Sequence, residues 1–273
     1  MKIGLSTPGN MVSEELFKNY VEAGIEYAEI TADLNGSLNL DFSKIKEIAD
    51  KCGVKLWSFH LPFAPFADID ISSLDEEKRI YTVNINKALI EKGSKVGIDK
   101  YIIHGSDEPI SDDIRSSKME ASKKSLKELA DFADKFGATV LVEDLPRTCL
   151  GRNSDEILEL LSADEKLRVV FDTNHLLNEE FSDFFKKCGK KIRSVHVSDY
   201  DFIDEKHWLP GEGELDWHRL YKELLDAGYS GIWLYELGFE NTPKITRSRN
   251  LTCEDFVRNA NEIFENKKLT VIK

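Results

Sequence analysis

The chain has 273 residues, 41% of them hydrophobic and 32% charged, with a formal net charge of −13. This composition suits a soluble globular domain with a sizeable core, and the length suits one large α/β barrel rather than two small domains. The acidic balance repels polyphosphate, which disfavours nucleic acid as a partner, and no apolar run is long enough to cross a bilayer.

The opening MKIGLSTPGN lacks the basic start, apolar stretch and small-residue cleavage site of a signal peptide. The first candidate strand, KIGLST (2–7), is followed by the amphipathic stretch SEELFKNYVEAG (13–24). YAEIT (27–31) and KLWSFH (55–60) come next, and SLDEEKRIYTVNINKALIEKGSKVG (73–97) leads into KYIIHG (100–105). SKKSLKELADFADKFG (122–137) leads into TVLVED (139–144), after which LRVVFD (167–172), IRSVHVSD (192–199) and GIWLYEL (231–237) bring the strands to eight. CEDFVRNANEIFEN (253–266) is a last helix. Several helical stretches close on glycine (Gly24, Gly53, Gly97, Gly137, Gly228), as helix C-termini often do. The four cysteines, Cys52, Cys149, Cys188 and Cys253, are far apart and form no C-x-x-C pair, so a reducing, cytoplasmic setting is expected.

Strict alternation of β and α segments implies a parallel sheet, and eight units in this length predict a single (β/α)8 TIM barrel over residues 1–273. An open doubly wound sheet is the alternative, but STPGN stands where its Gly-rich phosphate turn would follow the first strand. No linker, repeat or low-complexity segment marks a second domain.

In a barrel the C-terminal ends of the strands converge on one cavity. Here strands three to eight end at His60, His104, Glu143, Asp172, His196 and Glu236. Any one of these would ordinarily be a satisfied core polar group or a surface residue, but six consecutive ends that can bind a metal are a set. Carboxylates with imidazoles and no thiolate suit Mn, Mg, Co or Zn. His175, in D-T-N-H, and the pair Glu205 and His207 lie just beyond strand ends and add to the candidates for metal or substrate binding.

These residues give the chain a resemblance to the xylose isomerase-like TIM barrels, a superfamily of sugar isomerases and epimerases that also includes abasic-site nucleases of the endonuclease IV type (AP endonuclease family 2). The resemblance spans essentially the whole chain and is strongest in VEDLP (142–146), FDTNH (171–175), HVSD (196–199), HWLPGEGELDW (207–217) and the Glu236 strand. In the ketose 3-epimerase branch it implies one divalent ion held by Glu143, Asp172, His196 and Glu236, with His175 contacting substrate. The H-x-x-P-G-x-G loop matches His207, Pro210, Gly211 and Gly213. In the nuclease branch it implies three zinc ions, with His60, His104, Glu205 and His207 joining the set; glutamate stands at 205 where that branch normally has aspartate.

The leading expectation is a divalent-metal-dependent isomerase or epimerase of a sugar or sugar phosphate. It would act by proton transfer through a metal-bound enediolate, with Glu143 and Glu236 as acid and base on opposite faces of the sugar. Arg147 and Arg152 could bind a substrate hydroxyl, carboxylate or phosphate, and Trp208, with Trp57, Phe63 and Phe66, could form an apolar wall. Lys244, Arg247 and Arg249, after strand eight, are where a phosphate could dock. The alternative is a multi-zinc phosphodiesterase or a related hydrolase or lyase. A barrel that binds a sugar without turning it over is a third reading. The expected partner is a small-molecule sugar. A homo-oligomer is allowed, though no stretch of sequence marks an interface.

Overall fold

A strand in a barrel sends alternate side chains inward and outward, so the period of two decides what meets inside. The computed structural model describes residues 1–9, 11–241, 245 and 247–272. Its strands are β1 (Ile3–Ser6), β2 (Tyr27–Ile30), β3 (Lys55–His60), β4 (Lys100–His104), β5 (Thr139–Glu143), β6 (Arg168–Asp172), β7 (Ile192–His196) and β8 (Trp233–Tyr235). All neighbours pair in parallel, in the order β7-β6-β5-β4-β3-β2-β1-β8. The sheet closes where Val197, just past β7, bridges to Tyr235: Val197 N donates to Leu234 O at 2.9 Å and Glu236 N to Val197 O at 3.2 Å. The chain is therefore a (β/α)8 TIM barrel.

The helices are α1 (Glu14–Ala23), α2 (Leu34–Asn39), α3 (Phe42–Cys52), α4 (Glu76–Ser94), α5 (Asp112–Asp134), α6 (Ser154–Leu161), α7 (Phe181–Cys188), α8 (Trp217–Asp226) and α9 (Cys253–Phe264). Short polar side chains start them: Ser13 accepts from Leu16 N, and Asp216 from Arg219 N. Gly24 (φ 99°) and Gly53 (φ 83°) end α1 and α3 in the left-handed region. Outward residues such as Ile103, Val142, Val169 and Val195 pack against the helices in the main core. Among the described residues no helix is long and apolar enough to cross a membrane.

The eight strands fall where the β-branched runs predict; all but β3 are shorter, β7 and β8 the most so. β7 stops at His196 rather than at residue 199, because the chain leaves the sheet there to build a loop around Asp199. β8 is three residues long, so Glu236 lies one position beyond it. α5 begins at Asp112, well before residue 122, and the added turns bury Met119. α2, with Gly36 inside it, is too short and too polar to announce itself by apolar periodicity.

Inside the barrel the strands stack in layers. Ile102, Leu141 and Val170 form a small apolar cluster of their own. Two residues further along the same strands stand His104, Glu143 and Asp172, and two residues before them stand Lys100, Thr139 and Arg168. Trp57 joins the plug from β3, its Nε1 donating to Ser194 Oγ across the barrel at 3.0 Å. The polar residues at strand ends thus sit on a dry floor.

Candidate metal centre

Glu143, Asp172, His196 and Glu236 each present a ligand atom, and these atoms lie within 4.8 Å of one another. His196 Nδ1 is 2.7 Å from Glu143 Oε1, 3.0 Å from Glu236 Oε2 and 3.8 Å from Asp172 Oδ2. Asp172 Oδ2 is buried and makes no hydrogen bond among the described residues. An orphaned carboxylate oxygen is costly inside a protein unless a cation meets it, so this donor set fits a hard or borderline divalent ion.

The histidine rings are oriented from behind. A carbonyl oxygen only accepts, so the Nδ1 facing one must carry the proton. This applies to His60 (Leu61 O, 2.9 Å), His175 (Asp144 O, 2.8 Å) and His207 (Glu236 O, 3.1 Å). Each ring thereby turns Nε2 away from the carbonyl as its ligand atom. His196 is reversed: Nδ1 faces the carboxylates, and Nε2 lies 3.0 Å from Glu29 Oε1. Glu29 is fully buried on β2 and also accepts from Ser6 Oγ (2.9 Å) and Ser58 Oγ (2.6 Å).

The charges couple strongly. Burial works against charge on His196, but Glu236, Glu29 and Glu143 outweigh it and hold its pKa well above the ordinary value. Burial likewise opposes charge on His60, yet Glu143 leads the carboxylates that raise it to about 9. Burial lowers His104. Burial also opposes ionisation of Glu143, but His196, His104 and His60 keep it well below the usual carboxylate range. Asp172 is pushed well above that range by burial and by the charges of Glu236 and Glu143.

Three further triads border the first set. His60, His104 and Glu143 form one, with Glu143 Oε2 at 3.2 Å and 3.0 Å from the two imidazoles. His60, His196 and Glu236 form another, and His175, Glu205 and His207 a third. Glu205 is lowered to about 2, chiefly by His207, and His207 is raised to about 9 as Glu205 overcomes the effect of burial. All the expected metal candidates therefore meet at one mouth of the barrel.

The expected substrate residues divide. A cavity of about 140 Å³ is lined by Phe63, Phe66 and Arg147 together with His60, His104, Glu143, His175, Glu205, His207 and Glu236. A second, of about 500 Å³, adjoins it through His60, Phe63, His207 and Glu236 and reaches Thr7, Thr31 and Asp33 at the ends of β1 and β2. Arg147, with φ 52°, is gripped by Glu108, by Asp204 (2.8 Å) and by Glu205 (2.8 Å), so it ties three loops together. Arg152 pairs with Glu156 at 3.2 Å, and neither it nor Trp208 lines these two cavities. Trp57 belongs to the floor. Arg247 is buried in a two-pronged pair with Glu212 (2.7 Å for both prongs), and Arg249 pairs with Asp255. Lys244 lies outside the described residues.

The acidic, glycine-rich loop after β7 is organised by Asp199, which is fully buried. Its Oδ2 accepts from Gly211 N (2.8 Å), Gly213 N (2.9 Å) and Trp217 Nε1 (2.8 Å), and its Oδ1 from Tyr200 N (2.9 Å). A Cβ at Gly213 would overlap the Tyr200 carbonyl oxygen, which is why glycine is needed there. The loop in turn holds His207 at φ 53° beneath Glu236. Glu29 and Asp199 support the candidate site in ways that strand ends alone do not reveal. Glu29 has a visible signal, an acid inside the apolar run YAEI.

The model of a family described as the xylose isomerase-like TIM barrel matches residues 17–251. An uncharacterised protein of Methanocaldococcus jannaschii is 25% identical over 248 residues, covering 85% of this chain and 82% of that protein. Fructoselysine 3-epimerase of Escherichia coli is 26% identical over 130 residues, covering 45% of this chain and 47% of that enzyme. Among solved structures, a D-tagatose 3-epimerase-like protein superposes with a TM-score of 0.83 at 21% identity, over 97% of this chain and 98% of that one. A D-psicose 3-epimerase in the presence of D-fructose superposes with a TM-score of 0.77 at 17% identity, over 97% and 99%.

Proposed function

The chain belongs to the xylose isomerase-like TIM barrel family, and from that premise we propose that it is a divalent-metal-dependent isomerase or epimerase of a sugar or sugar phosphate. The observation that carries this reading is the set Glu143, Asp172, His196 and Glu236, whose ligand atoms crowd within 4.8 Å on a dry barrel floor. These four would hold the ion, which when bound supplies the Lewis acidity that polarises a sugar carbonyl. Glu143 and Glu236 reach the cavity from β5 and from just beyond β8, flanking the place where a sugar carbon would lie. One takes the proton from the carbon beside the carbonyl and the other returns it. His175 and His207 face the same space and orient hydroxyls, while Phe63 and Phe66 shield it from water. The epimerases among its relatives support this chemistry for the chain.

A ketose incubated in deuterium oxide with the Mn²⁺-loaded protein should take up deuterium at the carbon next to the carbonyl. Full uptake by both Glu143→Gln and Glu236→Gln would sink the proposed roles.

A second reading is favoured by one observation, the extra triads His60–His104–Glu143 and His175–Glu205–His207. They give this chain the ligands for more than one ion, which suits hydrolysis of a phosphodiester. Counting metals per chain, with an assay of phosphodiester cleavage before and after chelation, separates the two. One ion and no cleavage leaves the epimerase reading; two or three ions with chelator-sensitive cleavage replaces it.

A further inference from the structure

At the opposite mouth of the barrel, where the strands begin, lies a cavity of about 350 Å³ lined by Lys100, Thr139, Lys166, Arg168 and Arg193, with Asp99 and Asp134 also on its wall. A basic cavity is unusual in a chain with net charge −13. Its lysines are already paired: Lys100 with Asp99 (2.6 Å), and Lys166 with Asp131 (2.8 Å). Its arginines are not. Arg168 Nη1 donates to the carbonyls of Glu165 (2.6 Å) and Leu167 (2.8 Å), and Arg193 Nη1 to those of Lys190 (3.0 Å) and Ile192 (2.8 Å). Neither guanidinium meets a carboxylate among the described residues. Each of the chain's other eight arginines does. The two arginines left without an acid are thus on neighbouring strands, β6 and β7, in a single cavity.

We infer that this N-terminal mouth is a binding site for the phosphate group of a small molecule. Each guanidinium is anchored through Nη1 and keeps Nε and Nη2 for a ligand, a fork that matches an oxyanion. One carboxylate would satisfy a single fork. A phosphate, with three outer oxygens and a second charge, can accept from both and from the Thr139 hydroxyl. The cavity has room for more than the phosphate, so either free phosphate or a phosphate ester fits. The chain's negative field is screened beyond about 8 Å at physiological salt, so the local cations decide. The acidic metal-ligand set lies at the far end of the strands, so the site stands apart from the proposed reaction.

The test is calorimetric titration of the full-length protein with inorganic phosphate and with ribose 5-phosphate at about 0.15 M salt. Saturable binding is expected, weakened about tenfold or more by Arg168→Gln or by Arg193→Gln. Arg168→Lys, which keeps the charge and most of the packing, guards against a folding defect and should still weaken binding several-fold through loss of the fork. Equal affinity for both probes assigns free phosphate, and much tighter ribose 5-phosphate binding assigns an ester. Absence of saturation, or saturation unchanged in all three variants, overturns the site and leaves the guanidiniums as caps on their own carbonyls.

Discussion

His196 and Glu29 face each other at 3.0 Å in the barrel interior, with no solvent reaching either side chain. The carboxylate holds Nε2–H, so Nδ1 is left to face Glu143, Asp172 and Glu236. Glu29 can hold this position because two serine hydroxyls satisfy its oxygens from β1 and β3. Glu29→Gln keeps the volume but removes the charge behind the ring. It should weaken Mn²⁺ binding about 10- to 100-fold, as outer-shell substitutions do, while leaving far-UV circular dichroism unchanged. Undiminished affinity in calorimetric titration would show that His196 needs no carboxylate behind it.

Glu143→Gln and Glu236→Gln should each lower the rate of isotope exchange into a ketose about 10²- to 10⁴-fold, the usual contribution of a positioned proton-transfer group. Exchange is read by NMR under single-turnover conditions with saturating metal, so that weakened metal binding is not mistaken for lost chemistry. A loss confined to one variant would mean that a single glutamate handles both proton transfers.

Metal binding should release protons. Without an ion, His196 is held well above its ordinary pKa and His60 is raised to about 9, so both rings are charged at neutral pH. An ion replaces the ring proton, so affinity rises with pH and falls in acid. Calorimetry in two buffers of different ionisation enthalpy should report net proton release when an ion binds at His196 and Asp172, both of which are held toward their protonated forms. Identical heats in both buffers would contradict the charged-ring description.

The number of ions responds to the outer triads. If they are loaded, His104→Ala and His207→Ala should each remove one equivalent of metal by elemental analysis and leave the inner set filled. If the count stays at one in the wild type and in both variants, the outer histidines serve substrate alone.

Asp199→Ala should destabilise the protein by about 3 kcal/mol in urea denaturation, because several buried N–H donors lose one acceptor. Gly213→Ala should act in the same direction by forcing the loop off the Tyr200 carbonyl. A cost below about 0.5 kcal/mol, the size of an ordinary surface change, would mean that the loop folds without this centre.

The sequence makes the metal set legible because barrel topology turns distant strand ends into neighbours. His60, His104, Glu143, Asp172 and His196 each close an apolar run, and no tertiary knowledge beyond strand number is required. Glu29 is harder, since an acid within YAEI could face either side until the register of β2 is known. Asp199 could not be distinguished from the other acids of its loop, because its role lies in backbone donors that a sequence does not display. Arg147 and Arg152 look alike in LPRTCLGRN, yet one braces three loops over the cavity and the other pairs with Glu156 in the helix that follows it. The unpaired state of Arg168 and Arg193 is a property of what surrounds them, and no periodicity encodes it.

Arg168 and Asp172 point inward from the same strand, four residues and roughly 13 Å apart at about 3.3 Å per residue, with Val170 between them. That separation works as an insulator. Were β6 one pleat shorter, the guanidinium could fold onto the carboxylate and neutralise one of the four candidate ligands. The length of the strand thus keeps two opposite charges from discharging against each other, and the barrel stays electrically polarised from end to end.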